Sequence, residues 1–247
     1  SDLYLFHVES GLRSNNLGMP EERNRIMVDA ISDLLLIPSE DAKENLLKEK
    51  VSSGKIHNVG NIMIDTLAKN KSKIINNSEH IKNYLNINKP YFVITLHRPA
   101  NLNDDILKNV FEAISNFTDG YQVILPAHPR LKNYIENNNI ELSNVILIDP
   151  LSYIDFMSLV YGCDLVLTDS GGIQEETTYL GINCLTLREE TERPITVQEG
   201  TNKVIGTNKE NIINEINNVL GSKISNEAKI KYWDGETSDR IFQILFD

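Results

Sequence analysis

In the stretch "CDLVLTDSGGIQEE", Cys163–Glu176, a short apolar run gives way at once to a hydroxyl, two glycines and a pair of carboxylates. The apolar part has the length of a buried strand, and residues 168–176 have the composition of a turn opening a helix. In a parallel α/β sheet, ligands collect where strands end and the next helix points its N-terminus into the crevice. Asp169 or Ser170 can cap that helix, Gly171 and Gly172 let a ligand approach the backbone, and free N–H groups favour an anion. Glu176, one turn in, can accept two hydrogen bonds from a vicinal diol such as a ribose. The same residues also suit an ordinary N-cap with a glycine turn. No Gly-Lys-Ser/Thr comes after them, which excludes a Walker A loop, and the dinucleotide G-x-G-x-x-G is absent. A nucleophile elbow would need glycine where Thr168 stands, which argues against a serine hydrolase.

Outward from this stretch, short β-branched runs alternate with longer amphipathic ones. "LYLFHV", "DLLLIP", "KIHNVG", "YFVITL", "YQVILPA", "NVILID", "DLVLTD" and "NCLTL" predict strands with helices between most of them, hence parallel sheets in an α/β fold. Ser39, Pro129 and Asn208 mark helix starts. The polar segment Lys69–Lys89 predicts a domain-joining helix and loop, and a cut is expected near residue 60, after "VGN".

The 247 residues, 40% hydrophobic and 24% charged, suffice for two α/β units. A net charge of −11 argues against nucleic acid or an anionic membrane as partner. Any bound phosphate must be met by a few placed arginines. Cys163 and Cys184 sit in apolar runs without CxxC spacing and are expected to be buried thiols. No run approaches the roughly 18 apolar residues of a membrane span, so the cytosol is the default compartment. A strand beginning at the second residue suggests that the chain starts in mid-domain.

Three further clusters stand at strand ends. "HVESGLRSNNLGMPEERNR", His7–Arg25, packs a histidine, three glutamates and three arginines together. Two carboxylates in a desolvated pocket among guanidinium groups can hold different protonation states, as acid/base chemistry on both faces of a carbon requires. A solvated, self-neutralising loop is the alternative. In "TLHRPAN", His97 and Arg98 end a strand, and His128 ends the next; capping or loop-fixing is the other role open to each. In "REETERPITVQEGTNKVIG", residues 188–206, expected to be a polar loop, Arg193 precedes Pro194 and can clamp a diphosphate, or pair at the surface with Glu190 or Glu192. Four mixed-charge clusters at strand ends together favour a nucleotide-diphosphate site.

"HVESGLRS", "PEERNR", "TLHRP", "LTDSGGIQEE" and "TERPITVQEGTNKVIG", in that order, resemble the UDP-N-acetylglucosamine 2-epimerases along the whole chain. The resemblance implies two Rossmann-like domains facing across a cleft, the GT-B-like arrangement of one large class of glycosyltransferases, with the first domain incomplete here. It divides the chain into residues 1–60, the remainder of the N-terminal domain, residues 61–231, the nucleotide-binding domain, and a helix in 232–247 returning to the first. It also implies a UDP-sugar substrate and a homodimer. A further N-terminal stretch of the family, carrying a glycine-rich loop, basic diphosphate contacts and an Asp counted among the catalytic acids, is expected but missing, so the chain is expected to bind weakly or not turn over alone.

Position by position, the resemblance assigns Glu9, Glu21, Arg25 and His97 to catalysis and substrate contact. It places Phe156 against the uracil, Leu151 at a neighbouring backbone contact, Ser170, Gly171 and Gly172 at phosphate and ribose, Glu176 at the ribose diol and Arg193 at phosphate. The family chemistry is inversion at C2 by elimination of UDP to a glycal and its re-addition, with no metal and no nicotinamide. "HRPAN" and "TERPITVQEGTN" look closer to the non-hydrolysing branch. The alternatives are the hydrolysing branch releasing N-acetylmannosamine and UDP, a glycosyltransferase of the same architecture, and a nucleotide-sugar-binding fragment without turnover.

Overall fold

A computed structural model describes residues 4–98, 101–138, 140, 142, 145–221 and 229–246. The chain runs β1 (Phe6–Val8), α1 (Pro20–Ile31), β2 (Leu34–Ile37), α2 (Glu40–Lys48), β3 (Ile56–Asn58), α3 (Ile62–Tyr84), β4 (Tyr91–Thr95), α4 (Asp104–Ile114) and β5 (Gln122–Pro126). It continues through α5 (Pro129–Asn137), β6 (Val145–Ile148), α6 (Tyr153–Tyr161), β7 (Leu165–Thr168), α7 (Gly171–Leu180), β8 (Cys184–Thr186), α8 (Pro194–Gln198), β9 (Asn202–Val204), α9 (Lys209–Gly221) and α10 (Thr237–Phe246). Two compact units share it: Ser1–Lys69 with Thr191–Gly200 and Ala228–Asp247, and Asn70–Glu190 with Thr201–Glu227. The division falls inside α3, whereas residue 60 lies in the turn before that helix.

In the first unit, β1, β2 and β3 form a parallel sheet in that order. Successive side chains of a strand point to opposite faces, so β2 feeds two cores. Leu35 and Ile37 join Leu12, Ala42 and Leu46 on one face, while Leu34 and Leu36 join Val59 and the α10 residues Ile241, Ile244 and Leu245 on the other. The last helix is thus held by apolar burial. It is also held by the Asp65 carboxylate of α3, which accepts the amides of Thr237 at 3.0 Å and Ser238 at 2.7 Å. Trp233 Nε1 donates to the carbonyl of Pro38 at 3.0 Å. Gly60 has φ +90°, and a β-carbon there would stand 2.1 Å from the carbonyl oxygen of Tyr232.

In the second unit all strands are parallel, in the order β6-β5-β4-β7-β8-β9. That order reverses direction between β4 and β7, and such a switch point leaves a crevice at the strands' carboxyl ends. The core lies between the sheet and flanking helices: Phe92, Ile94, Leu165 and Leu167 of the central strands pack with a cluster that includes Leu107 of α4 and Ile212 of α9.

The expected parallel α/β class is found, with differences in detail. Residues 194–206 are not a loop: α8 and the edge strand β9 lie there. β9 escapes periodicity because it has three residues and is fixed by polar bonds, Asn202 accepting from Thr186 Oγ1 at 2.6 Å and donating to Gln174 Oε1 at 3.1 Å. The segment Lys69–Lys89 is helix and loop as expected: α3 runs to Tyr84 and irregular chain follows up to β4. Ser39 stands at the N-cap of α2, but its side chain makes no cap bond.

Gly60→Ala should lower the stability of the chain by about 1 kcal/mol or more, because both the positive φ and the space forbid a β-carbon. Thermal unfolding of the variant at unchanged or higher midpoint would contradict this.

Candidate functional site

The first unit carries one cluster after β1. Here the chain turns sharply: Glu9 adopts φ 63° and Gly11 φ 77°. A β-carbon at Gly11 would meet the carbonyl oxygen of Ala42 at 2.5 Å. Asp29 of α1, buried, organises the turn. Its Oδ1 lies 2.6 Å from His7 Nδ1, and its Oδ2 accepts the Gly11 amide at 3.0 Å and pairs with Arg13 Nη2 at 2.7 Å. Burial pushes the Asp29 carboxyl up, but the bonds from His7, Arg13 and Gly11 outweigh it and hold it below the usual range. Arg13 also grips Glu49, through Nε at 2.7 Å.

A second buried carboxylate, Glu22, accepts the amides of Ser14 and Asn15, both at 2.9 Å. Arg25 Nη1 approaches the same group at 3.4 Å. The predicted acids thus have unlike settings. Glu9 is half-buried, and its Oε1 is buried with no hydrogen-bond partner among the described residues. Glu21 is exposed, so the desolvated environment expected for it falls instead on its neighbour Glu22. Nothing in the spacing "PEE" distinguishes the two; the rotation of α1 about its axis does.

Arg193 belongs to the same unit. It is only 8% exposed, which does not fit a surface ion pair, and it lies close enough for its charge to act on the Asp41 carboxyl. Burial nevertheless keeps that carboxyl above its ordinary value, against Ser39, the first amides of α2 and Arg193.

The second unit carries its cluster at the switch point. Thr95 and Thr168, paired in the β4–β7 register, join their hydroxyls at 2.6 Å. Asp169 comes next, fully buried. It does not cap α7. Its carboxylate accepts the amides of His97 at 3.1 Å and Arg98 at 2.9 Å and the side-chain amide of Asn101 at 3.2 Å. His97 Nδ1 lies 2.8 Å from Oδ1. Burial raises this carboxyl, yet the His97 ring and the Arg98 and His97 amides prevail and keep it below the normal range. Pro99 and Ala100, part of the predicted His97 cluster, lie outside the described residues.

Ser170 is the N-cap of α7 without a side-chain cap bond. The amides opening this helix, beside Gly171 and Gly172, are therefore not occupied by that hydroxyl, as an anion site requires. Glu176, buried at 3% exposure, accepts the Tyr153 hydroxyl at 2.9 Å. Desolvation pushes its carboxyl up to about 7, with the Tyr153 bond opposing. Leu151 and Phe156, half-buried, precede and begin α6, whose N-cap Ser152 accepts the Asp155 amide at 3.3 Å. His128 provides its carbonyl to Leu131 at 2.8 Å at the start of α5. Sequence reasoning does not single out Asp29, Glu22, Asp169 as a histidine partner, or Tyr153; only their closeness in the chain to motif residues could signal them.

The family model for UDP-N-acetylglucosamine 2-epimerases matches residues 2–246. The chain belongs to the UDP-N-acetylglucosamine 2-epimerase family. A UDP-N-acetylglucosamine 2-epimerase of Methanocaldococcus jannaschii is 39% identical over 250 residues, which cover 97% of this chain and 68% of that protein. The crystal structure of the Methanocaldococcus jannaschii enzyme in complex with UDP-GlcNAc and UDP superposes with a TM-score of 0.85 at 37% identity, covering 98% of this chain and 69% of the other. That of the Neisseria meningitidis enzyme bound to UDP-GlcNAc gives 0.86 at 32% identity, over 98% and 69%. Among the described residues no helix is long and apolar enough to cross a membrane, and no group of three or more His, Cys, Asp or Glu could hold a metal ion.

The raised carboxyl of Glu176 gives a signed stability prediction. A group whose folded pKa exceeds its unfolded one stabilises fully below the unfolded value, about 4.5, and loses that contribution as pH rises through about 7. Glu176→Gln removes the titration, so the variant should gain on the wild type by about 1–3 kcal/mol between pH 4.5 and 8. Denaturant unfolding of both proteins at the two pH values measures it; a constant difference would contradict the assigned shift.

Proposed function

We propose that this chain interconverts UDP-N-acetylglucosamine and UDP-N-acetylmannosamine by inverting C2 of the sugar, without hydrolysis, as a 2-epimerase like the relatives that carry that name. The observation that carries this reading is the α7 start: an uncapped Ser170–Gly171–Gly172 turn at a parallel switch point, with a buried carboxylate at Glu176. The turn suits a diphosphate and the carboxylate a ribose diol. Phe156 is assigned to the uracil, Leu151 to a backbone contact, Arg193 to phosphate and His97 to catalytic contact with the substrate.

The C2 proton of a sugar is not acidic, so the reading requires the anomeric C–O bond to break early. The charge of the departing diphosphate is then met by helix N–H groups, histidine and arginine already in place. A carboxylate takes the C2 proton, and a protonated acid returns one from the opposite face to the glycal as UDP adds back. Glu9 and Glu21, with Arg25 one turn after Glu21 on α1, are assigned to these transfers. The strained backbone and unpartnered Oε1 of Glu9 support its part, since such strain and unmet polar atoms concentrate at working sites. The whole reading includes a homodimer and a cytoplasmic location.

With UDP-N-acetylglucosamine in deuterated water, turnover by the chain, against the expectation that it binds weakly or does not turn over alone, is read by proton NMR as a UDP-linked manno product carrying deuterium at C2. Free N-acetylmannosamine would indicate the hydrolysing branch, transfer to an added acceptor a glycosyltransferase, and UDP binding without product a binding fragment. Glu9→Gln should reduce turnover by about 10²-fold or more, the scale of a lost general acid or base.

A further inference from the structure

We propose that Asp169 is the positioning residue for His97, fixing the imidazole with its proton on Nδ1 so that Nε2 is the atom offered to the substrate. An ionised carboxylate can only accept hydrogen bonds, so the 2.8 Å contact between Asp169 Oδ1 and His97 Nδ1 requires a proton on Nδ1. Ring geometry then fixes the role of the second nitrogen: Nε2 presents a lone pair when the ring is neutral and an N–H donor when it is protonated. The His97 side chain is 57% exposed and Asp169 fully buried, so the contact, and not packing, orients the ring.

The carboxylate is itself held still. It accepts the His97 and Arg98 amides and the Asn101 side chain, while the Asp169 amide donates to the Thr95 carbonyl at 3.3 Å and Arg98 Nε to the Asp169 carbonyl at 2.9 Å. These bonds lock the ends of β4 and β7 together at the switch point. Three N–H donors already satisfy the carboxylate without the ring, so the imidazole contact is an addition to the lock and not a condition of it. A nitrogen aimed in advance at a departing phosphate costs no reorganisation during the reaction.

The kinetic part of this inference rests on the epimerase reading; the tautomer does not, and the two are tested separately. In two-bond ¹H–¹⁵N spectra of the labelled chain without substrate, with His97 assigned by its loss in His97→Asn, the neutral ring should be the Nδ1–H form. An Nε2–H ring in the wild type would overturn the proposal whatever the protein catalyses. Asp169→Asn should then lower kcat by about tenfold or more with KM for the UDP-sugar within about threefold, and cost less than about threefold in a His97→Asn background. Equal losses with and without His97, or a rise in KM matching the fall in kcat, would show a structural role only and overturn it. If the wild type shows no turnover, the epimerase reading fails and the tautomer alone decides the clamp.

Discussion

The carboxylate of Asp169 is wholly removed from water and remains below the usual carboxylate pKa range. Burying an ion costs several kcal/mol even after the protein relaxes. Four donors converge on it, and at about 1.5–3 kcal/mol for a hydrogen bond to a charged group their sum is of the size needed to offset that cost. The balance depends on β4 and β7 ending side by side, which the parallel register from Phe92↔Leu165 to Thr95↔Thr168 imposes. Take away the register and the donors disperse; take away the carboxylate and four N–H groups lose their acceptor. The α7 start, whose N-cap Ser170 makes no side-chain cap bond, follows directly on this joint.

The first unit solves a similar problem with different residues. Asp29 and Glu22, both on α1, are buried and use their oxygens to hold β1 and the residues after it: His7 of β1 and Gly11 in one case, Ser14 and Asn15 in the other. A segment that turns through positive φ at Glu9, Gly11 and Asn15 cannot make regular ladder bonds, and helix carboxylates take the place of a partner strand. Arg13, almost fully buried, is tolerable there because Asp29 and Glu49 both face it. Structure and strain are therefore concentrated around Glu9, leaving its own carboxylate partly unmatched.

How much of the molecule is legible in the chain depends on the range of the forces involved. The strand runs and the glycine turn after β7 are local features; they appear where expected, except that β1 covers only Phe6–Val8 of "LYLFHV", whose first residue lies outside the described ones. β9 escapes notice because a three-residue edge strand secured by Asn202 has no apolar periodicity to reveal it. Glu21 and Glu22 look alike in the motif, and only the rotation of α1 against its sheet leaves the first exposed and the second buried. Asp169 suits a cap of α7 by its position, and only the proximity of residues 97, 98 and 101, some seventy positions away, redirects its oxygens.

The sequence alone determined the alternation of strand and helix, the parallel α/β class, the membership of the family through five ordered motifs, and the place of the glycine turn that opens α7, since each depends on residues near one another in the chain. The tertiary structure decided which carboxylates are buried, that burial lifts Glu176 to about 7 while Asp29 and Asp169 stay low, and which imidazole nitrogen is left outward at His97. These are matters of desolvation against donors from distant segments. Such a balance exists only once the chain has folded.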